Sequence, residues 1–151
     1  MIRRFRDEDA DAVSELIVDN LRTVNIHDYS GELIEELVIH NTPQDVLKSA
    51  KRYDAFVAVE DGNIMGVAML SRYKIRNLFV LTQMHGNGIG RSLVSHIESL
   101  ARRRQFSRLN VDSSLTAVEF YEKCGYVTVR KVNKPFRGVR NVVTEMVKIL
   151  G

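Results

Sequence analysis

The stretch from Leu78 to Ile97, LFVLTQMHGNGIGRSLVSHI, constrains this chain more than any other. It opens on Leu78, Phe79 and Val80, a short apolar run suited to a buried strand. Gly86, Gly88 and Gly90 follow, and then Ile89, Leu93, Val94 and Ile97 recur at helical spacing. Strand, glycine turn and helix in that order make an anion site. The first turn of a helix leaves backbone N–H groups without partners, and the positive end of the helix dipole favours a phosphate beside them. Glycines let a diphosphate come close, because they carry no Cβ and tolerate backbone angles other residues resist.

Two other phosphate loops are excluded by spacing. A triphosphatase loop ends in Gly-Lys-Ser/Thr, whereas Gly90 is followed by Arg91 and Ser92. A dinucleotide fingerprint needs G-x-G-x-x-G, and its third glycine is missing from either Gly86 or Gly88.

Composition bounds the rest. A chain of 151 residues with 44% hydrophobic and 27% charged residues is expected to form one domain, 1–151, with a real core. No apolar run reaches membrane-spanning length, and the start, MIRRFRDEDADAV, is charged where a signal peptide is apolar. Cys124, the single cysteine, rules out an internal disulfide and fits a reducing compartment. A cytoplasmic protein without a membrane partner is expected. The net charge is +3, and basic residues gather at Arg102–Arg104 and between Arg130 and Arg140. They lack interleaved aromatics, zinc ligands or a helix-turn-helix pattern, so nucleic acid is not an expected partner. No metal site is expected either, because His40 and His96 stand without cysteines or paired carboxylates at ligand spacing.

Read in order, Met1–Arg6 forms a weak strand, and Asp7 caps a helix with Ala10, Val13, Leu16, Ile17 and Leu21 on its apolar face. After a loop at Asn25–Tyr29, a helix follows Ser30, and Thr42-Pro43 starts another that buries Val46, Leu47 and Ala50. Tyr53–Glu60 and Ile64–Arg72 are strands joined by the hairpin signal Asp61-Gly62-Asn63. A strand at Ile75–Val80 feeds the glycine loop, whose helix lasts to about Arg104, with His96 on its exposed side. Ser107–Val111 is a strand and Asp112-Ser113-Ser114 a polar turn with capping hydroxyls. A short helix then carries Ala117, Val118, Phe120 and Tyr121 and stops at Gly125. Val127–Val132 and Val142–Ile149 alternate as two last strands. The expected class is α/β (α+β): a mixed, mostly antiparallel sheet of about seven strands flanked by four to five helices.

Two motifs in this frame resemble the GNAT N-acetyltransferase superfamily. Its acyl-CoA loop, Arg/Gln-x-x-Gly-x-Gly/Ala, falls on His85-Gly86-Asn87-Gly88-Ile89-Gly90, with His85 in the place of Arg or Gln. Its segment Asn/Ser-x-x-Ala-x-x-Phe-Tyr-Glu-Lys-x-Gly-Phe/Tyr falls on Ser114, Ala117, Phe120, Tyr121, Glu122, Lys123, Gly125 and Tyr126. The resemblance covers nearly the whole chain and implies a GNAT fold, acetyl-CoA as co-substrate and direct attack of an amine on the thioester. It places the diphosphate on His85, Gly86, Asn87, Gly88, Ile89, Gly90 and Arg91, and the pantetheine arm on Leu78, Phe79, Val80 and Ser114. Tyr121 becomes the proton donor to the leaving sulfur, and an N–H near Phe79 or Val80 polarises the thioester oxygen. His85 is expected to alter cofactor affinity, and Ser114 to reach less far than asparagine.

Relatives often place a general base on the strand before the loop, but Tyr73-Lys74-Ile75-Arg76-Asn77 contains no carboxylate. Asp112, His27, Glu32 and a water chain are the alternatives. The acceptor is expected to be a small amine, housed by Leu21–Thr42 and the Lys134–Asn141 turn, where acidic side chains would attract a cation. A protein or peptide N-acetyltransferase and a non-catalytic acyl-CoA sensor are the other readings, and the resemblance admits a homodimer.

Overall fold

The computed structural model describes residues 1–151. Seven strands form one sheet in the order β1-β2-β3-β4-β5-β7-β6. These are β1 (Ile2–Arg4), β2 (Asp54–Glu60), β3 (Asn63–Ser71), β4 (Lys74–Val80), β5 (Arg108–Ser113), β6 (Val127–Asn133) and β7 (Val142–Ile149). The helices are α1 (Ala10–Thr23), α2 (Gly31–Ile39), α3 (Pro43–Arg52), α4 (Ile89–Arg103) and α5 (Val118–Lys123). All neighbouring strands pair antiparallel except β4 and β5, whose parallel pairing is made possible by the crossover through α4.

Alternation along the strands divides the interior in two. On β2 and β3, Ala55, Val57, Val67 and Met69 face α1 and α3, where Val13, Leu16, Ile17, Leu21 and Val46 cover them. Phe56, Ala58, Ala68 and Leu70 face the opposite layer, with Leu93, Val94 and Ile97 of α4 and with Tyr121, Tyr126 and Met146. The expected mixed sheet with flanking helices is the one observed.

Local chemistry explains most boundaries. Ser30 accepts from the Leu33 N–H at 3.1 Å, and Thr42 and Asp45 exchange capping bonds around Pro43. Asp61 and Gly62 have φ of 50° and 77°, as the two-residue turn between β2 and β3 requires.

Four expectations need correction. Asp7 does not cap α1: a 3-10 turn spans Asp7–Asp9, and buried Asp9 reaches back to the Arg6 N–H at 2.8 Å while pairing with Arg3. Leu47 and Ala50 are half-buried, because α3 lies at the margin of the sheet. His96 is half-buried, packed edge-on against Phe56 at 4.6 Å, and that burial lowers its pKa. Asp112 and Ser113 belong to β5 and pair with Glu145 and Thr144, and α5 starts without a side-chain cap.

Strand β4 is irregular on both edges. Val67 pairs with Phe79 and Met69 with Arg76, so Asn77 and Leu78 both stand opposite Ala68. This is a β-bulge, and Asn77 takes φ of 52° to make it. On the other edge, β4 pairs with β5 only at Lys74–Asn110 and Ile75–Val111. Beyond the bulge the two strands part.

Candidate active site

The parting of β4 from β5 opens two cavities that meet. The first, about 610 Å³, runs from the end of β4 to the start of α4 and across to α5. The second, about 340 Å³, lies between β4, β5 and the α1–α2 layer. Asn25, Leu78, Phe79, Ser114, Ala117 and Tyr121 line both.

In the first cavity the glycine loop turns into α4 at Gly88, whose φ is 81°, and no side chain caps the helix. The N–H groups of the first turn are therefore free for an anion. At Gly90 a Cβ would stand 3.1 Å from Cζ of Phe120, so a side chain there would press on that ring and require it to shift. Arg91 donates to the Lys123 carbonyl at 2.9 Å, tying the loop helix to the end of α5. His85, Gly86, Gly88, Ile89, Gly90 and Arg91 all line this cavity, as do Val80 and Ser114. Asn87 does not: its amide turns back to the Met84 sulfur at 3.8 Å.

The end of β4 presents its backbone to the gap. Leu81 N–H donates to the Met65 carbonyl at 2.8 Å, and ladder parity then points the polar groups of Val80 away from β3. The Val80 carbonyl is occupied by Asn20 Nδ2 at 2.8 Å and by His85 Nε2–H at 2.9 Å. Of the expected donors, Val80 N–H is the one that faces the cavity, while that of Phe79 belongs to the β3 ladder. His85 thus closes back on the strand it follows, a role its place in the motif did not suggest. Asn20, buried on α1, had no sequence signal beyond being a polar residue on an apolar helix.

Tyr121 stands where the cavities join. It is 5% exposed, and its ring packs edge-on against Phe120 and Tyr126 at 5.1 and 5.7 Å. Burial pushes its phenol well above the usual range, with Cys124 adding to the shift, so it stays protonated.

A match over residues 25–150 to the family model described as "Acetyltransferase (GNAT) domain" decides the family. The chain belongs to the GNAT acetyltransferase family. Its class is therefore that of the acyl-CoA-dependent N-acetyltransferases. Among solved structures, this GNAT protein is similar to a GCN5-related N-acetyltransferase from Rhodopseudomonas palustris, also described as a class-II aminotransferase. Identity is 27% and the TM-score 0.93, over 99% of this chain and 95% of that one. PaiA N-acetyltransferase from Thermoplasma acidophilum, solved in complex with coenzyme A, has 15% identity and a TM-score of 0.80, over 99% and 98% of the chains. A ribosomal-protein-alanine N-acetyltransferase from Brucella melitensis has 20% identity and a TM-score of 0.73, over 99% of each chain. The last two likenesses concern the fold alone. No curated protein sequence matches this one. No helix of the GNAT chain is long and apolar enough to cross a membrane.

The second cavity of this GNAT fold draws on the regions expected to house an acceptor: Leu21, Asn25, Tyr29, Leu37 and Asn41 on one side, Lys134 and Asn141 on the other. Its electrostatics differ from expectation. Asp28 is spent on Thr116, accepting from its N–H at 3.1 Å and its hydroxyl at 2.8 Å, which straps the α1–α2 loop to the entry of α5. Glu32 and Glu35 point outward, Glu36 sits beside His40, and neither His27 nor Glu32 lines the cavity. Asp112 does line it, but both of its oxygens are already taken up by Lys74 and Lys134. Tyr29 lines it too, its phenol pushed up to about 12 by burial and by Asp28 and Asp112.

Proposed function

We propose that residues 1–151 form a single GNAT domain that transfers the acetyl group of acetyl-CoA to the primary amine of a small molecule, both substrates being bound together. The observation that carries this reading is the shared wall: a cavity with a helix N-terminus at one end meets a separate cavity at Leu78, Phe79 and Tyr121. Acetyl-CoA fits the first. Uncapped N–H groups at α4, with Arg91, Lys123 and His85 around them, suit its diphosphate, and the unpaired edge of β4 suits an extended amide-bearing arm.

In the reaction the amine nitrogen attacks the thioester carbon. A carbon–nitrogen bond forms, the carbon–sulfur bond breaks, nitrogen gives up a proton to water, sulfur takes one from Tyr121, and water returns a proton to the phenolate. Val80 N–H is placed to polarise the carbonyl oxygen, and alignment of the two substrates at the junction supplies a large part of the rate. A phenol raised by burial is a poor donor to a thiolate in water. Here the sulfur would share the same desolvated junction, and desolvation raises a thiol as it raises a phenol. With Asp112 engaged by two lysines, a water chain through the second cavity is the route we assign to the amine proton. A cytoplasmic site of action is the reading that the donor and the lone Cys124 support. Val127 and Val129, 62% and 61% exposed on edge strand β6, favour a homodimer as the assembly to look for by light scattering.

The test is thiol release from acetyl-CoA with a panel of small primary amines and, separately, with peptides bearing free N-termini. Turnover confined to small amines supports the proposal, and turnover confined to peptides replaces it with the peptide reading. Acetyl-CoA binding without turnover on any acceptor would make the protein a sensor.

A further inference from the structure

The second cavity is cationic where a site for a polyamine would be acidic. Successive outward positions on β4 and β5 put Lys74, Arg76, Asn110 and Asp112 on the sheet face turned toward α2. Asp112 is the one carboxylate that lines the cavity. Lys74 and Lys134 satisfy it, and Lys134 also holds Glu145 at 2.7 Å. Arg76 is left over. Its guanidinium lies 5.2 Å from the Tyr53 ring, it forms no ion pair in the protein, and its Nε–H is buried without an acceptor. Oδ1 of Asn110, on the neighbouring strand, is buried and unpartnered as well. A buried guanidinium nitrogen without an acceptor is costly, and an arginine fork matches a planar carboxylate with two parallel hydrogen bonds.

From this we infer that the acceptor is an amine that also carries a carboxylate, bound by Arg76 in the second cavity. The inference rests on the acetyl-transfer reading and adds the substrate class to it. Geometry along β4 adds a spacing. Arg76 stands opposite Met69, and Val80, whose N–H faces the thioester, stands opposite Gly66, three residues along β3. That is roughly 10 Å at strand rise. An α-amino acid, whose amine and carboxylate share one carbon, is too short to bridge that distance. An amine at the far end of a short chain from its carboxylate is long enough.

The experiment compares ε-aminocaproate, hexylamine, cadaverine and glycine as acceptors, by thiol release, in the wild type and in Arg76→Gln and Arg76→Lys. Acetyl-CoA titration of each variant checks that it folds. The wild type should favour ε-aminocaproate over hexylamine by about 10- to 100-fold in kcat/KM, the range of a charge-assisted pair. Arg76→Gln should bring that ratio to within about threefold, and Arg76→Lys, a point charge without the fork, should keep part of it. A wild-type ratio near one, a preference for cadaverine or glycine, or a ratio that survives in Arg76→Gln overturns the substrate class and leaves acetyl transfer standing. No turnover with any amine, despite acetyl-CoA binding, overturns both.

Discussion

Nζ of Lys148 lies 3.2 Å from Oε1 of Glu98, and the other oxygen of that carboxylate accepts from the Tyr126 hydroxyl at 2.9 Å. Lys148 also donates to the Cys124 carbonyl at 2.9 Å, so one ammonium joins β7, α4 and the end of α5 behind the first cavity. Lys148→Met leaves Glu98, 6% exposed, without its counter-charge. With the Lys148 side chain 25% exposed the cost falls below that of a fully dry pair. The expected loss is about 2–3 kcal/mol, read as a lower urea midpoint. Adding Glu98→Gln should recover much of it, and no recovery would mean that the ion pair is not the source of the loss.

Tyr121→Phe separates chemistry from packing. The hydroxyl has no hydrogen-bond partner in the protein, whereas the ring is part of the core. Stability should change by less than about 0.5 kcal/mol, while kcat falls roughly 100-fold with little change in the KM for acetyl-CoA. An unchanged kcat would remove Tyr121 from the mechanism.

Gly88→Glu tests the anion site by calorimetric titration with CoA and acetyl-CoA. The substitution sets a side chain on a backbone with φ of 81° and a negative charge at the helix terminus. Binding should weaken by more than about 10-fold. Gly90→Val should weaken it as well, through the contact with Phe120, and wild-type affinity in both variants would place the cofactor elsewhere.

Asp9 sets part of the acid limit of the fold. Its hydrogen bond from Arg3 holds its carboxyl below the ordinary range against the cost of burial, with the Arg6 N–H adding to the shift. Because the folded pKa is lowered, the contribution is complete above the unfolded value near 3.9 and is lost as pH falls through the folded one. In Asp9→Asn the urea midpoint should be lower at neutral pH and should decline less steeply below about pH 4 than in the wild type. Parallel curves would show that other carboxylates govern acid unfolding.

Much of this molecule was legible as pattern. Apolar residues at helical spacing marked α1 and α4, Asp61-Gly62 marked the hairpin, and Gly86 and Gly88 marked the turn into α4. Thr42-Pro43 and Ser30 marked helix starts because capping is local chemistry. What escaped depended on partners distant in sequence. Asp112 looked like a turn residue until β7 paired with its strand and two lysines closed on it. Asp28 looked like an acid available to a ligand, but Thr116 is 88 positions away and takes both its oxygens. His96 reads as an exposed helix residue unless Phe56 is known to lie beneath it. Asn77, which makes the bulge, carries no signal that separates it from any strand asparagine.

That bulge shapes the site without setting its register. Without Asn77, Leu78, Phe79 and Val80 would still stand opposite Ala68, Val67 and Gly66, so Val80 would go on facing the gap. What the extra residue supplies is the bend, since a bulge turns and twists the strand that carries it, and β4 leaves β5 at this point. A relative matching this chain at every motif but lacking that residue would keep the same amide on a straighter strand with less room beside it, and the difference would be visible only as a gap of one in an alignment.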